Sequence, residues 1–290
     1  MAKEYIKWYN NLPIVNKYHK INVEYQEDNM TNEIEEKQKK TIRSVIKAFD
    51  VIDYMALSEK ELGVTEISEA LNYGVSATYH LLNTLKECNI IEQNETTKKF
   101  KLGLKLWQIG MRAYEQNDIS IILKPYLRKL KELTGETSNL TILDNNQIVY
   151  IAQEESNRLL KMFTKIGVSA PLHCTGAGKI LLAYQPESKQ EHIIDSIELT
   201  KYTNKTITDK DKLMEEIDII KKQGYGLDDE EREIGVSCIG APIFGVNNEI
   251  ISCISISGPK SRFTKENKDR WIKMILDVSK EATDYIRTIS

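Results

Sequence analysis

Pro171-Leu172-His173-Cys174-Thr175-Gly176-Ala177-Gly178-Lys179-Ile180-Leu181-Leu182-Ala183 is the stretch around which the rest of the chain is organised. A polar turn bearing glycines runs straight into an apolar helical run. Thr175 is suited to cap that helix, because its hydroxyl can accept one of the N–H groups that the first turn leaves without an intrahelical partner. Gly176, Ala177 and Gly178 carry almost no side chain, so a ligand can approach their backbone amides. Free amides at the positive end of a helix dipole favour a small anion. The plainer alternative is a capped helix whose small residues pack under a strand. A nucleotide P-loop does not fit: its first glycine would fall at His173, and Ile180 stands where a magnesium-binding Ser or Thr is needed.

The 290 residues suffice for two domains of ordinary size. With 41% hydrophobic and 29% charged residues the composition is that of a soluble globular protein. No apolar run approaches the roughly 20 residues that span a bilayer, and residues 1–20 contain no apolar core of a secretory signal. No membrane partner is expected. The four cysteines, Cys88, Cys174, Cys238 and Cys253, lack CxxC spacing and suggest neither a metal site nor a disulfide scaffold, so a reducing cytoplasm is the simplest fit. A net charge of −3 argues against a wholly basic nucleic-acid coat and leaves room for a local basic surface.

Residues 1–40 are polar, balanced in charge and without a sustained period, and are read as an arm or disordered lead; Met30, just before the organised region, offers an alternative start. From residue 41 the pattern is helical. Val45, Ala48, Phe49, Ile52 and Met55 recur at three- and four-residue steps. A second helix opens at Thr65, and Asn72-Tyr73-Gly74 then turns the chain through positions that tolerate positive φ. A third helix over residues 75–87 buries Thr78, Leu81, Leu82 and Leu85 and shows Ser76, Tyr79, His80 and Asn83 on its other face. Residues 90–93 and 100–102 read as a hairpin carrying Lys98 and Lys99. Three short helices and a hairpin make a winged helix-turn-helix, in which the third helix enters a DNA major groove and the hairpin lysines reach phosphates. Residues 41–115 hold nine Lys and Arg against ten Asp and Glu, which leaves protein contact as the competing use of this unit.

Residues 104–117 read as a connecting helix that either holds two domains rigidly or packs on a second subunit, and another helix follows over 119–133. Beyond it, residues 140–143 and 148–152 form a hairpin across Asp144-Asn145-Asn146, and 159–163 read as a further strand. Thr208 is placed as the cap of a helix reaching residue 222. Strands 236–244 and 249–257 pair across Val246-Asn247-Asn248, and a long amphipathic helix over 264–286 closes the chain. Strand pairs that do not alternate strictly with helices give an α+β layer fold with an antiparallel sheet. The expected divisions are an arm over 1–40, a winged helix-turn-helix over 41–103, a linker helix over 104–118 and a sheet domain over 119–290.

Several of these stretches together resemble the IclR family of transcriptional regulators. Thr65-Glu66-Ile67-Ser68-Glu69-Ala70-Leu71 through Leu81-Leu82 is similar to the family's helix-turn-helix, and Phe100-Lys101-Leu102-Gly103 to the end of its wing. Leu172 to Lys179, Gly224-Tyr225-Gly226-Leu227-Asp228-Asp229-Glu230-Glu231, Gly235-Val236-Ser237-Cys238-Ile239-Gly240-Ala241-Pro242 and Ile254-Ser255-Ile256-Ser257-Gly258-Pro259 resemble its effector-domain signatures. The resemblance spans residues 41–290. Three positions depart from it: Asn72 and Asn89 stand where the family usually carries Gly, and His80 where it carries Arg, which removes a permanent charge beside the groove.

The resemblance implies a GAF-like second domain that binds a small metabolite, often a carboxylate, with no cofactor and no metal. The matching positions are Gly176, Ala177, Asp228, Cys238, Ser255 and Ser257, with Met162 and Ala170 as apolar lining. The chemistry agrees with that transfer. Gly176 and Ala177 amides suit a carboxylate, while Ser255 and Ser257, two apart on one strand, point to one face and suit a keto or hydroxyl oxygen. A hydroxy, oxo or sugar acid fits better than a dianion beside Asp228. Taken singly, each residue has an ordinary reading: Asp228 as a turn cap, Cys238 as a buried apolar residue, the serines bonded to backbone. The leading expectation is a metabolite-responsive regulator, a homodimer or dimer of dimers on palindrome-like operator DNA. The alternatives are a sensor using its helix-turn-helix for protein contact and an enzyme using Cys174 as a thiol nucleophile.

Overall fold

The computed structural model describes residues 41–115, 118–162 and 164–289; the expected arm over 1–40 lies outside them. The chain forms two compact units, Met1–Gln116 and Asn117–Ser290.

In the first unit, helices α1 (Arg43–Ala56), α2 (Val64–Ala70) and α3 (Val75–Glu87) are followed by strands β1 (Ile91–Gln93) and β2 (Phe100–Leu102) and by helix α4 (Leu104–Glu115). Glu66 fixes the start of α2 by accepting the Gly63 N–H at 2.6 Å. Asn72 (φ 52) and Asn89 (φ 59) take left-handed conformations on either side of α3, where an Asn side chain makes positive φ tolerable. β1 and β2 pair antiparallel with Ile91 opposite Leu102, and Leu62 exchanges two backbone hydrogen bonds with Phe100 to brace the wing. Val51, Met55, Ile67, Leu82, Leu85, Ile91 and Phe100 form the core. The stripe expected on α1 is rotated: Val51 and Met55 face the core, whereas Val45 and Phe49 are exposed. The helix carries apolar residues on two faces, and periodicity does not say which of them a core will cover.

The second unit is a helix–sheet–helix sandwich. Its elements are α5 (Asp118–Thr134), β3 (Thr137–Asp144), β4 (Gln147–Glu154), β5 (Ser169–Pro171), α6 (Gly176–Ala183), α7 (Glu187–Ser196), α8 (Lys210–Gln223), β6 (Gly226–Asp229), β7 (Val236–Phe244), β8 (Ile250–Pro259) and α9 (Lys265–Ile289). The six strands run antiparallel in the order β5-β4-β3-β8-β7-β6. Successive side chains of a strand leave on opposite faces, and here the two faces are chemically sorted. Leu140, Ile239, Ala241, Ile243, Ile254 and Ile256 point to the back, where Leu123, Leu127 and Leu130 of α5 and Trp271, Ile275 and Val278 of α9 close the main core. The front face carries Ile148 and Cys253 beneath the apolar residues of α6, α7 and α8, and polar residues along the rest of its length.

Two expectations differ from the structure. Leu159 to Met162 forms no strand, and the Leu160 carbonyl accepts from Arg262 Nη2 at 3.0 Å in place of a ladder partner. Asp209, not Thr208, caps α8, accepting the Lys212 N–H at 3.0 Å. The short strands β5 and β6 and the helix α7 add to what the pattern suggested. Gly224 (φ 81) ends α8 as a left-handed cap.

Candidate functional site

Thr175 is the N-cap of α6. Its hydroxyl oxygen accepts the Gly178 N–H at 3.1 Å and donates to the Pro171 carbonyl at 2.8 Å, which sets the angle at which the helix meets the sheet. The helix end then lies against β6 and β7. A methyl group on Gly176 would stand 3.2 Å from the Gly226 carbonyl and 3.4 Å from the Asp228 nitrogen, and one on Gly240 would stand 3.3 Å from the Ala177 nitrogen. Small residues on both sides are what permits this approach.

Register aligns the polar front face in two rows. Asp228, Cys238, Ser257 and Thr137 lie opposite one another across β6, β7, β8 and β3. Gly240, Ser255, Asn139 and Gln153 form the row beside them. Asn139 Nδ2 donates to Ser257 Oγ at 3.0 Å, and Gln153 Nε2 donates to Asn139 Oδ1 at 2.9 Å, so the hydroxyl is held within a side-chain network. Burial pushes the Cys238 thiol up to about 12, against the lowering effect of Ser255 and the Ala177 and Gly176 amides, which face the sulfur. It is a neutral thiol under ordinary conditions. Tyr150 reaches over from β4. Burial raises its phenol above the usual range, and it stands close enough to Cys238, Asp228, Cys253 and Arg232 to feel their charges.

Asp228 is only 5% exposed. Its Oδ1 accepts the Glu231 N–H at 2.8 Å and the Arg232 N–H at 3.4 Å, so the turn-capping role is real. Burial outweighs those bonds and pushes the carboxyl up to about 7, a range in which it can donate as well as accept. Next to this turn Lys179, buried in α6, meets Glu231 at 2.6 Å and Glu216 of α8 at 3.1 Å. His173 Nε2 donates to the Thr200 carbonyl at 3.0 Å, and its ring stacks on Tyr202, whose other neighbour is the Arg232 guanidinium. Burial holds His173 below the usual histidine range and lifts Cys174 to about 12. Neither residue is set up as a thiolate pair.

In the first unit Ser76, Tyr79 and His80 are exposed on α3 and Asn83 is half-buried. The Tyr79 and His80 rings meet edge to face at 6.0 Å. Lys98 is exposed at the wing with φ 58, while Lys99 is paired with Glu66 at 3.1 Å. Glu61 braces the wing by accepting from Asn94 Nδ2 and from Thr97 Oγ1.

Against known proteins, residues 44–95 match the IclR helix-turn-helix domain model, and residues 111–283 match the model of the bacterial transcriptional regulator IclR C-terminal domain. The chain belongs to the IclR family of transcriptional regulators. It is 35% identical over 246 residues to the HTH-type transcriptional regulator KdgR of Escherichia coli, covering 85% of this chain and 93% of the relative. The crystal structure of Thermotoga maritima IclR is similar at a TM-score of 0.68 and 30% identity, over 85% of this chain and 100% of that one. An IclR homologue of Microbacterium hydrocarbonoxydans complexed with 4-hydroxybenzoate shares the fold at a TM-score of 0.72 and 16% identity, over 84% of this chain and 99% of that one.

An IclR-family member thus has a winged helix-turn-helix unit and a ligand-binding-type C-terminal unit. Of the residues singled out by sequence, Gly176, Ala177, Asp228, Cys238, Ser255 and Ser257 converge on one face. Met162, expected as apolar lining, touches this face only through its backbone carbonyl, which accepts from Thr137 Oγ1 at 3.3 Å. Ala170, expected as apolar lining, sits opposite Ile148 on β5 and packs against the apolar cluster under α6 that includes Ala177. Sequence reasoning missed Asn139, Gln153, Tyr150, Lys179 and Arg232. Asn139 carried a usable signal, since a polar side chain inside an otherwise apolar strand needs a partner.

Proposed function

We propose that this regulator binds a small hydroxy, oxo or sugar acid in the cradle between α6 and the β6–β7–β8 sheet, and that binding changes how paired α3 helices meet operator DNA. The observation that carries this reading is the convergence of the α6 amides, Asp228, Cys238, Ser255 and Ser257 on one buried face. The Gly176 and Ala177 amides receive the carboxylate at the positive end of α6. Ser257, oriented by Asn139, and Ser255 read a keto or hydroxyl oxygen, and Asp228 serves a ligand hydroxyl as donor or acceptor. A family fold crystallised with 4-hydroxybenzoate, itself a hydroxylated carboxylate, is consistent with that class.

On the DNA side, Ser76, Tyr79, His80 and Asn83 supply base and phosphate contacts and Lys98 reaches backbone. Pairing of two copies is supported by exposed apolar stripes: Ile42 at the cap of α1 with Val45 and Phe49 on it, and Leu104, Trp107 and Met111 on α4, with Trp107 63% exposed. A two-fold pair would place its recognition helices about one DNA turn, roughly 34 Å, apart. Effector binding favours one arrangement of the pair and so changes operator affinity.

The test is selection of a bound sequence from a random duplex pool, then fluorescence anisotropy with and without a panel of hydroxy and oxo acids. Expected are a palindrome-like site, affinity that falls steeply with salt, and a response to at least one acid. Equal binding to every duplex with no response to any acid sinks the proposal.

A further inference from the structure

We infer that Arg232 is the cation that makes the cradle selective for anionic effectors, presented on the face of Tyr202; this deepens the acid-binding reading above and rests on it. The other cations around the site are already paired. Lys179 is held by Glu231 and Glu216. Lys205 is held by Asp229 and Glu230, and Lys260 by Asp229. The Arg232 guanidinium has no hydrogen bond or ion pair to any described residue, although it is half-buried. A guanidinium withdrawn from water without a carboxylate partner is a charge that a ligand can satisfy.

Its position is set from both sides. Its own backbone N–H is fixed to Asp228 Oδ1 at 3.4 Å, so the side chain starts at the rim of the cradle. The guanidinium then lies 3.8 Å from the Tyr202 ring centroid, a cation–π contact. Tyr202 is itself immobilised. Its ring stacks on His173 at 6.1 Å, and the residues around it are latched to the Asp228 turn, with Thr203 Oγ1 donating to the Glu230 carbonyl at 2.7 Å and Thr206 Oγ1 to the Glu231 carbonyl at 2.6 Å. The Arg232 charge is felt at Tyr150, which reaches over the Asp228–Cys238 row, and at Cys174 in the turn before α6. Stacking leaves the guanidinium N–H edge free, which is the edge that meets a carboxylate with two parallel bonds. Recognition is then divided. The α6 amides and hydroxyls read shape and oxygen pattern, while Arg232 rejects the uncharged analogue of the same shape.

The experiment compares acids with their matched neutral amides on the full chain: lactate and lactamide, pyruvate and pyruvamide, gluconate and gluconamide, 4-hydroxybenzoate and 4-hydroxybenzamide. Thermal shift finds the responding pairs, and calorimetry then measures them on wild type, Arg232→Gln and Arg232→Lys. Loss of a charge-assisted bond should weaken the acid about tenfold or more in Arg232→Gln while leaving the amide unchanged. Arg232→Lys should keep the preference for acid with weakened affinity, because a point charge cannot reproduce the fork. An undiminished acid-over-amide ratio in Arg232→Gln overturns the inference and leaves the acid-binding reading standing. No response of wild type to any acid brings down both. Should Arg232→Gln fail to fold, Arg232→Lys decides, and acid affinity equal to wild type counts against the guanidinium.

Discussion

Lys179 Nζ lies 2.6 Å from Glu231 Oε1 at a place where 1% of the lysine side chain meets solvent. Burial alone would lower the Lys179 pKa, but the Glu231 and Glu216 carboxylates overcome it and hold the ammonium above its ordinary value. The pair ties α6 to the turn that carries Asp228 and Arg232, and Glu231 Oε2 has no other partner among the described residues. Lys179→Met strands buried carboxylate and should cost about 3–5 kcal/mol in urea unfolding. Adding Glu231→Gln should return part of that loss. A single variant as stable as wild type would show that the pair contributes nothing to holding α6.

Asp228 gives stability a definite pH dependence. Its folded pKa, raised by burial to about 7, lies above the ordinary carboxylate value of 3.8. The native state therefore holds a proton that the unfolded chain has already released. This contribution is fully present below about pH 4 and is lost as pH rises through about 7. Asp228→Asn removes the penalty of ionising the buried group and keeps an oxygen for the Glu231 N–H. It should be more stable than wild type above pH 7, by up to about 4 kcal/mol, with the advantage shrinking toward pH 4. Chemical denaturation at pH 5 and pH 8 reads the difference; a constant offset at both counts against the assignment.

Gly178 has no room for a side chain. A methyl group there would stand 2.5 Å from both the Leu172 carbonyl oxygen and Thr175 Oγ1. Gly178→Ala must displace the turn that aims α6 and should cost about 1–3 kcal/mol. Thr175→Ala removes only the cap and should cost about 1 kcal/mol. Thermal melts of the two variants should rank them in that order.

The two wing lysines should differ. Lys98 is exposed, whereas Lys99 is already paired with Glu66. Lys98→Gln should weaken DNA binding nearly uniformly across sequences and lower the slope of log affinity against log salt by about 1. Lys99→Gln should change the slope less. Equal slopes for both variants would show that the Glu66 pair opens on DNA.

Pairing through α4 is open to a direct check. Trp107→Glu places a charge in the exposed apolar stripe and should shift sedimentation toward the monomer at micromolar concentration, with the thermal melt of the C-terminal unit unchanged. A variant that sediments as wild type does would remove that stripe from the pairing surface.

Local chemistry was legible wherever a residue acts through its own backbone or its near neighbours. Thr175 caps α6, Asn72 and Asn89 turn left-handed, and residues 75–87 are helical, all from signals a few positions long. Apart from the α8 cap, where Asp209 rather than Thr208 takes the N-cap position, the failures among the strands and α7 share a cause. Leu159 to Met162 has strand-like residues, yet no neighbouring strand offers it a ladder. β5 and β6 are only three and four residues long, and they are strands because β4 and β7 supply the partner edge. Polar α7 hides its few apolar residues, Ile193 and Ile194, under α6 and α8.

By itself the sequence determined the longer elements, the family and the segments that converge, because capping, turn chemistry and alternation are encoded within a few residues. Only the tertiary structure decided which side chains face one another across the sheet. Register set Ser257 opposite Thr137 and Cys238 opposite Asp228, Asn139 reached Ser257 diagonally through its side chain, burial raised the Asp228 carboxyl, and the latch between Thr203 and Glu230 placed Tyr202 beneath Arg232. Those pairings join residues from ten to more than a hundred positions apart. No periodicity along the chain records them, since each depends on how far one strand slides past the next.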